Sequence, residues 1–203
     1  MDRICVFCSS NLGNKKEYID VAYELGRVLA ERKITLVYGG ANVGLMRAVA
    51  ESTLEHGGKA IGVITHFLAQ KHLTQPGLSE LILVDTMQER KSKMAELADA
   101  FITLPGGFGT LEELFEVLTA GQLGLHQKPM ALINTNGFYE HLKLHLNQMV
   151  QAEMLLDPHA KIAQFVNSPQ EALEALESYQ APVIEKWIEN IRRANGHFDK
   201  QIK

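Results

Sequence analysis

The sequence predicts an α/β fold, a doubly wound parallel sheet flanked by helices in a single domain, and three observations predict it. Short β-rich runs alternate with longer helical runs along almost all of the 203 residues. Several of the short runs are apolar at consecutive positions, as strands are when helices cover both faces of a sheet. Glycine-rich segments stand at two of the strand ends, where such a sheet hands over to its helices.

Strands are expected at residues 4–7, 35–38, 60–64, 81–84, 100–104 and 130–134. Between them, Tyr18, Val21, Ala22, Leu25 and Leu29, and later Leu111, Leu114, Phe115 and Leu118, repeat at the three- and four-residue spacing of a helix that buries one face. Ser168-Pro169-Gln170-Glu171 combines a capping serine, a first-turn proline and a glutamate three residues after the cap, so a helix starts there and ends near Tyr179. The simplest strand order places the fourth strand beside the fifth. Residues 1–181 read as one domain. Residues 182–203 read as a helical extension, with Val183, Trp187 and Ile191 on a face that docks on the body or on a partner subunit, and with no pattern after Gly196.

A hydrophobic content of 46% lets a chain of this length bury a core without disulfides or metal. The net charge of -4, with acids and bases interspersed, offers no basic face for a nucleic-acid polymer. No apolar run approaches the roughly 20 residues of a membrane span. No cationic, apolar leader precedes the first strand. A soluble, cytoplasmic protein without a membrane partner is the expectation. Cys5 and Cys8 form a Cys-x-x-Cys, but an offset of three along a strand points two side chains to opposite faces, which favours core roles over redox or zinc chemistry.

Two junctions could carry chemistry. Tyr38-Gly39-Gly40-Ala41-Asn42-Val43-Gly44-Leu45-Met46 follows the second strand, and Leu104-Pro105-Gly106-Gly107-Phe108-Gly109-Thr110 follows the fifth. Gly39 and Gly44 have the spacing of a triphosphate-binding loop, but Leu45-Met46 stand where that loop needs Lys-Ser/Thr. Gly107-Phe108-Gly109 is followed by Glu112 rather than glycine, against a dinucleotide cofactor. One terminal phosphate fits the second loop: its glycines let backbone N–H groups approach, and Thr110 adds a hydroxyl at the helix start. Either loop alone is explained equally well as a tight turn; two at one sheet edge favour a binding site.

Glu113 follows about one helical turn later, so its carboxylate can project over the same loop. An acid in a first turn ordinarily compensates the helix dipole, which accounts for Glu112. An acid beside an anion site also needs a cation between them. Met87-Gln88-Glu89-Arg90-Lys91 supplies one: a basic pair is usually solvated, yet cations at a helix start oppose the dipole and so hint at an anionic partner.

Taken together, Pro105-Gly106-Gly107-Phe108-Gly109-Thr110 with Glu113, the Met87…Arg90-Lys91 element and the Gly39-Gly40…Gly44-Leu45-Met46 loop resemble the Lonely Guy (LOG) family of cytokinin-activating phosphoribohydrolases, over roughly residues 3 to 180. The resemblance implies a Rossmann-like fold, a homodimer, and hydrolysis of N6-substituted adenosine 5′-monophosphates, or of AMP, to free base and ribose 5-phosphate. It implies no metal and no organic cofactor. By match to the motif, Arg90 and Glu113 are catalytic, and Gly40, Gly44, Met87, Lys91, Gly106, Gly107, Phe108, Gly109, Thr110 and Thr119 bind the substrate. Members also carry a lysine decarboxylase label, but no lysine here sits in a recognisable pyridoxal-phosphate setting. Arg47 and the segment from His66 to Gly77 depart from the family pattern, which bears on the base rather than on the reaction.

In that chemistry Glu113 would face the oxocarbenium character that builds on the ribose, and Arg90 would hold it in place. Two rival readings differ in class. A non-catalytic nucleotide sensor or carrier is compatible with the fold but leaves Arg90 and Glu113 without a task. A zinc hydrolase through His141 and His145 lacks the adjacent glutamate of a His-Glu-x-x-His helix.

Overall fold

A computed structural model describes residues 1–182. The expectations for Val183, Trp187, Ile191 and the rest of the helical extension lie outside the described residues.

Among the described residues seven parallel strands form one sheet: β1 (Arg3–Phe7), β2 (Thr35–Tyr38), β3 (Ala60–Thr65), β4 (Glu80–Val84), β5 (Ala100–Thr103), β6 (Met130–Ile133) and β7 (Ala163–Val166). The helices are α1 (Lys16–Glu31), α2 (Gly44–Glu55), the short α3 (His66–Ala69), α4 (Met87–Leu97), α5 (Phe108–Gln122), α6 (Glu140–Gln151), the short α7 (Asp157–Ala160) and α8 (Pro169–Ser178). All six expected strands form, within a residue at each end. β7 is a seventh that the sequence reading passed over.

Side chains alternate across β1 as two-sided burial requires. Ile4, Val6 and Cys8 join a core with α1, α2 and α8, while Cys5 and Phe7 join a second core with Met94 and Ala98 of the α4 region and Val117 of α5. Cys5 and Cys8 are therefore free, buried and on opposite faces. The helix after Ser168 starts as expected: the serine side chain accepts from the Glu171 N–H, and the Glu171 carboxylate accepts from Asn167 N–H, one residue before the cap.

The strand order is β4-β3-β2-β1-β5-β6-β7. This corrects the simplest order: β4 is an edge strand, and three strands separate it from β5. The chain winds outward from β1 to β4, and α4 must then cross back over β3, β2 and β1 before β5 can pair with β1. Between β1 and β5 the winding reverses, and the loops beyond their carboxyl ends diverge to leave a crevice. The crossing of α4 brings its first turn to that crevice.

Candidate functional site

A cavity of about 370 Å³ lies at this reversal. Its lining comes from five segments at the carboxyl edge of the sheet: Cys8 to Asn11 after β1, Gly39, Ala41 and Met46 after β2, Leu68 in α3, Met87 and Arg90 at the start of α4, and Gly107 to Thr110 with Glu112 and Glu113 at the start of α5.

The N-terminus of α5 is bare. Gly107 caps it without a side-chain hydrogen bond, and the space where a Cβ would stand at Gly107 or Gly109 is empty for 4 Å. The first N–H groups of the helix have no partner within it and face an open approach, which with the dipole makes an anion site. Gly106 answers a different need: a Cβ there would sit 2.1 Å from Thr110 Oγ1, so the buried Thr110 hydroxyl is folded back against the loop. Phe108, the first helical residue, is 94% exposed at the rim.

Arg90 and Glu113 form the floor. Arg90 is only 6% exposed; its Nη1 donates to Glu113 Oε1 at 2.9 Å and its Nε donates to the carbonyl oxygen of Val63 at 2.9 Å. The second bond has a structural origin. β2 leaves the sheet at Tyr38, opposite Gly62, and the next carbonyl of β3 receives the guanidinium. Gly39 makes room, because a Cβ there would lie 1.8 Å from Arg90 Nη2. Burial pushes the Glu113 carboxyl above the usual glutamate range, and the Arg90 guanidinium draws it part of the way back. Burial also raises the Cys8 thiol far up, with the Glu113 carboxylate adding to it, so Cys8 stays protonated.

Several expected site residues sit elsewhere. Lys91 turns its ammonium to Glu112 and to Glu116, the latter at 2.6 Å, and so clamps α4 to α5 beside the cavity rather than lining it. Thr119 lies further along α5, in a groove with Phe115, Leu118, Leu146 and Met149. Gly40 takes a positive φ of 73° at the turn, and it is Gly39 that lines the cavity. Gly44 is absent from the lining but shapes it: a Cβ there would meet the Ser10 carbonyl carbon at 2.3 Å, so the β1 loop rests on it. Glu112 and Glu113 fall in the second turn of α5, whose first turn holds no acid, so dipole compensation explains neither well. The sequence reading missed the Ser9-Ser10-Asn11 loop. Its signal was available: small polar residues follow the strand whose end borders the reversal.

No group of three His, Cys, Asp or Glu able to hold a metal occurs among the described residues, and His141 and His145 are exposed on α6. No helix among the described residues is long and apolar enough to cross a membrane.

Comparison with known proteins places the chain as a whole. A family model described as possible lysine decarboxylase matches residues 46–176. A probable cytokinin riboside 5′-monophosphate phosphoribohydrolase of Oryza sativa subsp. japonica is 45% identical over 177 residues, covering 87% of this chain and 71% of that protein. A cytokinin riboside 5′-monophosphate phosphoribohydrolase of Arabidopsis thaliana is 43% identical over 177 residues, covering 87% and 83%. Among solved structures, a molybdenum cofactor binding protein of Rippkaea orientalis superposes with a TM-score of 0.66 at 23% identity, covering 87% of this chain and 96% of that one. The molybdenum cofactor carrier protein of Chlamydomonas reinhardtii does so with a TM-score of 0.66 at 20% identity and the same coverage. These two likenesses concern the fold alone.

Gly39→Ala tests how the floor is built. The added methyl group meets the guanidinium, so overpacking of about 1–3 kcal/mol is expected in thermal or denaturant unfolding. A crystal structure should show Arg90 Nη1 moved off Glu113. An unchanged stability with the ion pair intact would refute this account of the site.

Proposed function

Given that the chain belongs to the Lonely Guy family, whose model carries the description possible lysine decarboxylase, we propose that it hydrolyses the N-glycosidic bond of an adenosine 5′-monophosphate, N6-substituted or plain, to free base and ribose 5-phosphate. The observation that carries this reading is a buried arginine–glutamate pair at the floor of a cavity whose wall is a bare, glycine-lined helix N-terminus.

The 5′-phosphate binds the free N–H groups at Gly107 to Thr110. Glu113 is six residues beyond Gly107, and at 1.5 Å of rise per residue it stands about 9 Å further along the helix axis, which leaves room for a ribose between the two groups. Its carboxylate then faces C1′. As the bond from C1′ to the base nitrogen breaks, the ring takes up positive charge that the carboxylate stabilises, and water adds its oxygen to C1′. One water hydrogen stays on the new C1′ hydroxyl, and the other proton ends on the nitrogen of the departing base. Arg90 fixes the carboxylate through a fork already anchored on the Val63 carbonyl, a geometry lysine cannot copy. Met87, Leu68 and Met46 offer the base an apolar flank. In this reading Lys91 acts by holding α4 against α5.

A cytoplasmic location and a homodimer belong to the same proposal. Phe115, Leu118 and Thr119 of α5 and Leu146 and Met149 of α6 border a groove, with Phe115 and the nearby Leu123, Leu125 and Met154 exposed, and Leu125 77% so. A second copy of the chain covering this face would bury Thr119.

Incubation with a panel of nucleotides tests the activity. AMP or an N6-substituted AMP should release base by chromatography, and adenosine and ATP should be poor. Comparable turnover of adenosine and AMP would sink the reading, as would a strict need for a divalent metal. Glu113→Gln keeps the size but removes the charge, so turnover should fall by roughly 10²–10³ or more. Binding of the monophosphate should survive, Arg90→Lys should be severely impaired, and Glu112→Gln should be mild. Equal, small losses in Glu113→Gln and Glu112→Gln with binding intact would favour a nucleotide sensor.

The acid limb of kcat/KM follows from the burial of Glu113. The ionised form acts and its pKa is raised, so activity is lost as pH falls through a value above the ordinary glutamate range. An acid limb at or below that range would mean that another group is being titrated.

Light scattering at micromolar concentration should give a dimer, and Phe115→Glu should shift it toward monomer. A wild-type monomer would refute the assembly.

A further inference from the structure

A second cavity, of about 680 Å³, opens on the other side of the β1 loop. Ser9, Asn11 and Gly107 line both cavities and form a ridge between them. On one side of the ridge lie Arg90 and Glu113. On the other stand two aromatic rings, Tyr18 of α1 and Phe138 after β6, edge to face with centroids 5.8 Å apart. Leu12, Leu45 and Pro105 complete an apolar wall, and asparagine and serine supply its neutral polar groups. The cavity is shaped by fixed backbone: Gly13 has a φ of +78°, and a Cβ there would lie 2.7 Å from the Tyr18 ring. Phe138 is 41% exposed, so one part of its ring is unpartnered.

The bare N-terminus of α5 thus borders both spaces. A nucleoside 5′-monophosphate with its sugar over Glu113 fills one of them and ends at the ridge. We infer that the second cavity is a subsite for a planar aromatic group esterified to the 5′-phosphate, so that the protein also binds nucleoside 5′-phosphodiesters, with the phosphate on the ridge and the second ring against Phe138 and Tyr18. The inference rests on the reading of the Glu113 cavity as a nucleotide site. Chemistry selects this class of ligand. No lysine or arginine lines the second cavity, so a further phosphate would be desolvated without a partner there. A neutral ring gains apolar burial and stacking.

Calorimetry on Glu113→Gln, which retains ligand without turning it over appreciably, separates the outcomes with three probes: AMP, adenosine 5′-methyl phosphate and adenylyl-(3′→5′)-adenosine. The last two carry the same charge and differ in the second ester group, a methyl in one and an adenosine in the other, and Phe138→Ala isolates the contribution of its ring. The dinucleoside should bind roughly tenfold tighter than the methyl ester, about 1.4 kcal/mol, and adding Phe138→Ala should cut that advantage to within about twofold, because the base loses its stacking ring. AMP affinity, and in the otherwise wild-type chain kcat/KM for AMP, should be unchanged by Phe138→Ala. Equal affinity for the dinucleoside and the methyl ester overturns the subsite. A loss of AMP affinity in Phe138→Ala overturns it too, because that would put the base of AMP in this cavity. If wild-type protein releases no base from AMP, the hydrolase reading falls, and a Phe138-dependent preference for the dinucleoside still supports the subsite.

Discussion

The contact between Arg90 and Glu113 is the constraint to which the rest of the site is fitted. Two opposite charges at 2.9 Å, 8% and 13% exposed at their side chains, are held away from water. Removing one partner of such a pair costs about 3–5 kcal/mol because the other is left buried and unpaired, while replacing both with well-packed apolar groups is often neutral or better. Stability alone therefore does not explain the pair. The surroundings are shaped to keep it: β2 ends early so that a β3 carbonyl meets Arg90, Gly39 omits a side chain that would strike the guanidinium, and Lys91 ties α4 to α5 through Glu112 and Glu116. Desolvation raises the Glu113 carboxyl while Arg90 opposes the rise, leaving a group whose charge is sensitive to what enters the cavity.

Topology makes the contact available. Arg90 follows the edge strand β4 and Glu113 follows β5 beside β1, so sequence neighbours in the βα series lie far apart in the sheet. Only the long return of α4 over three strands joins them. Had β4 paired with β5, α4 would have been a local crossover, and its first turn would not lie at the reversal beside β1. The reversal is also where the β1 loop and the α5 N-terminus diverge, so one crossing helix supplies both the cation and the place where it is needed.

What was legible in the sequence is what short-range physics determines. The start of α8 at Ser168 depends on four consecutive residues and was readable to the residue. Strands β1 to β6 announced themselves by consecutive apolar residues, whereas Ala-Gln-Phe-Val of β7 is brief and broken by a polar residue. Strand order was not legible, because nothing local to β4 says that its partner is β3 alone. In the site, the glycine loop and Glu113 stood out through spacing, and Arg90 through a charge that its helix dipole disfavours. Arg90 and Lys91 could not be told apart in that way. Adjacent residues on a helix point about 100° apart, and only the packing of α4 on the sheet decides that Arg90 turns inward to Val63 and Glu113 while Lys91 turns to two surface acids.

The distribution of cations bears on which anions the cleft can hold. Among the described residues lining the two cavities, Arg90 is the one cation, and Glu113 and the Val63 carbonyl already engage it. Lys91, the nearest other candidate by sequence, is occupied by Glu112 and Glu116. A phosphate at Gly107 to Thr110, as proposed, would therefore be held mainly by backbone N–H groups and the helix dipole, an arrangement worth about half a positive charge. That suffices for one phosphate group and is poorly matched to a chain of three, whose outer charges would meet Glu112 on one side of the ridge or an apolar wall on the other. In the proposed reaction the same shortage would protect the chemistry at the floor. With few fixed cations near C1′, the Glu113 carboxylate would be the strongest negative group facing the ribose, and its attraction for a developing cation would be opposed only by the arginine that orients it.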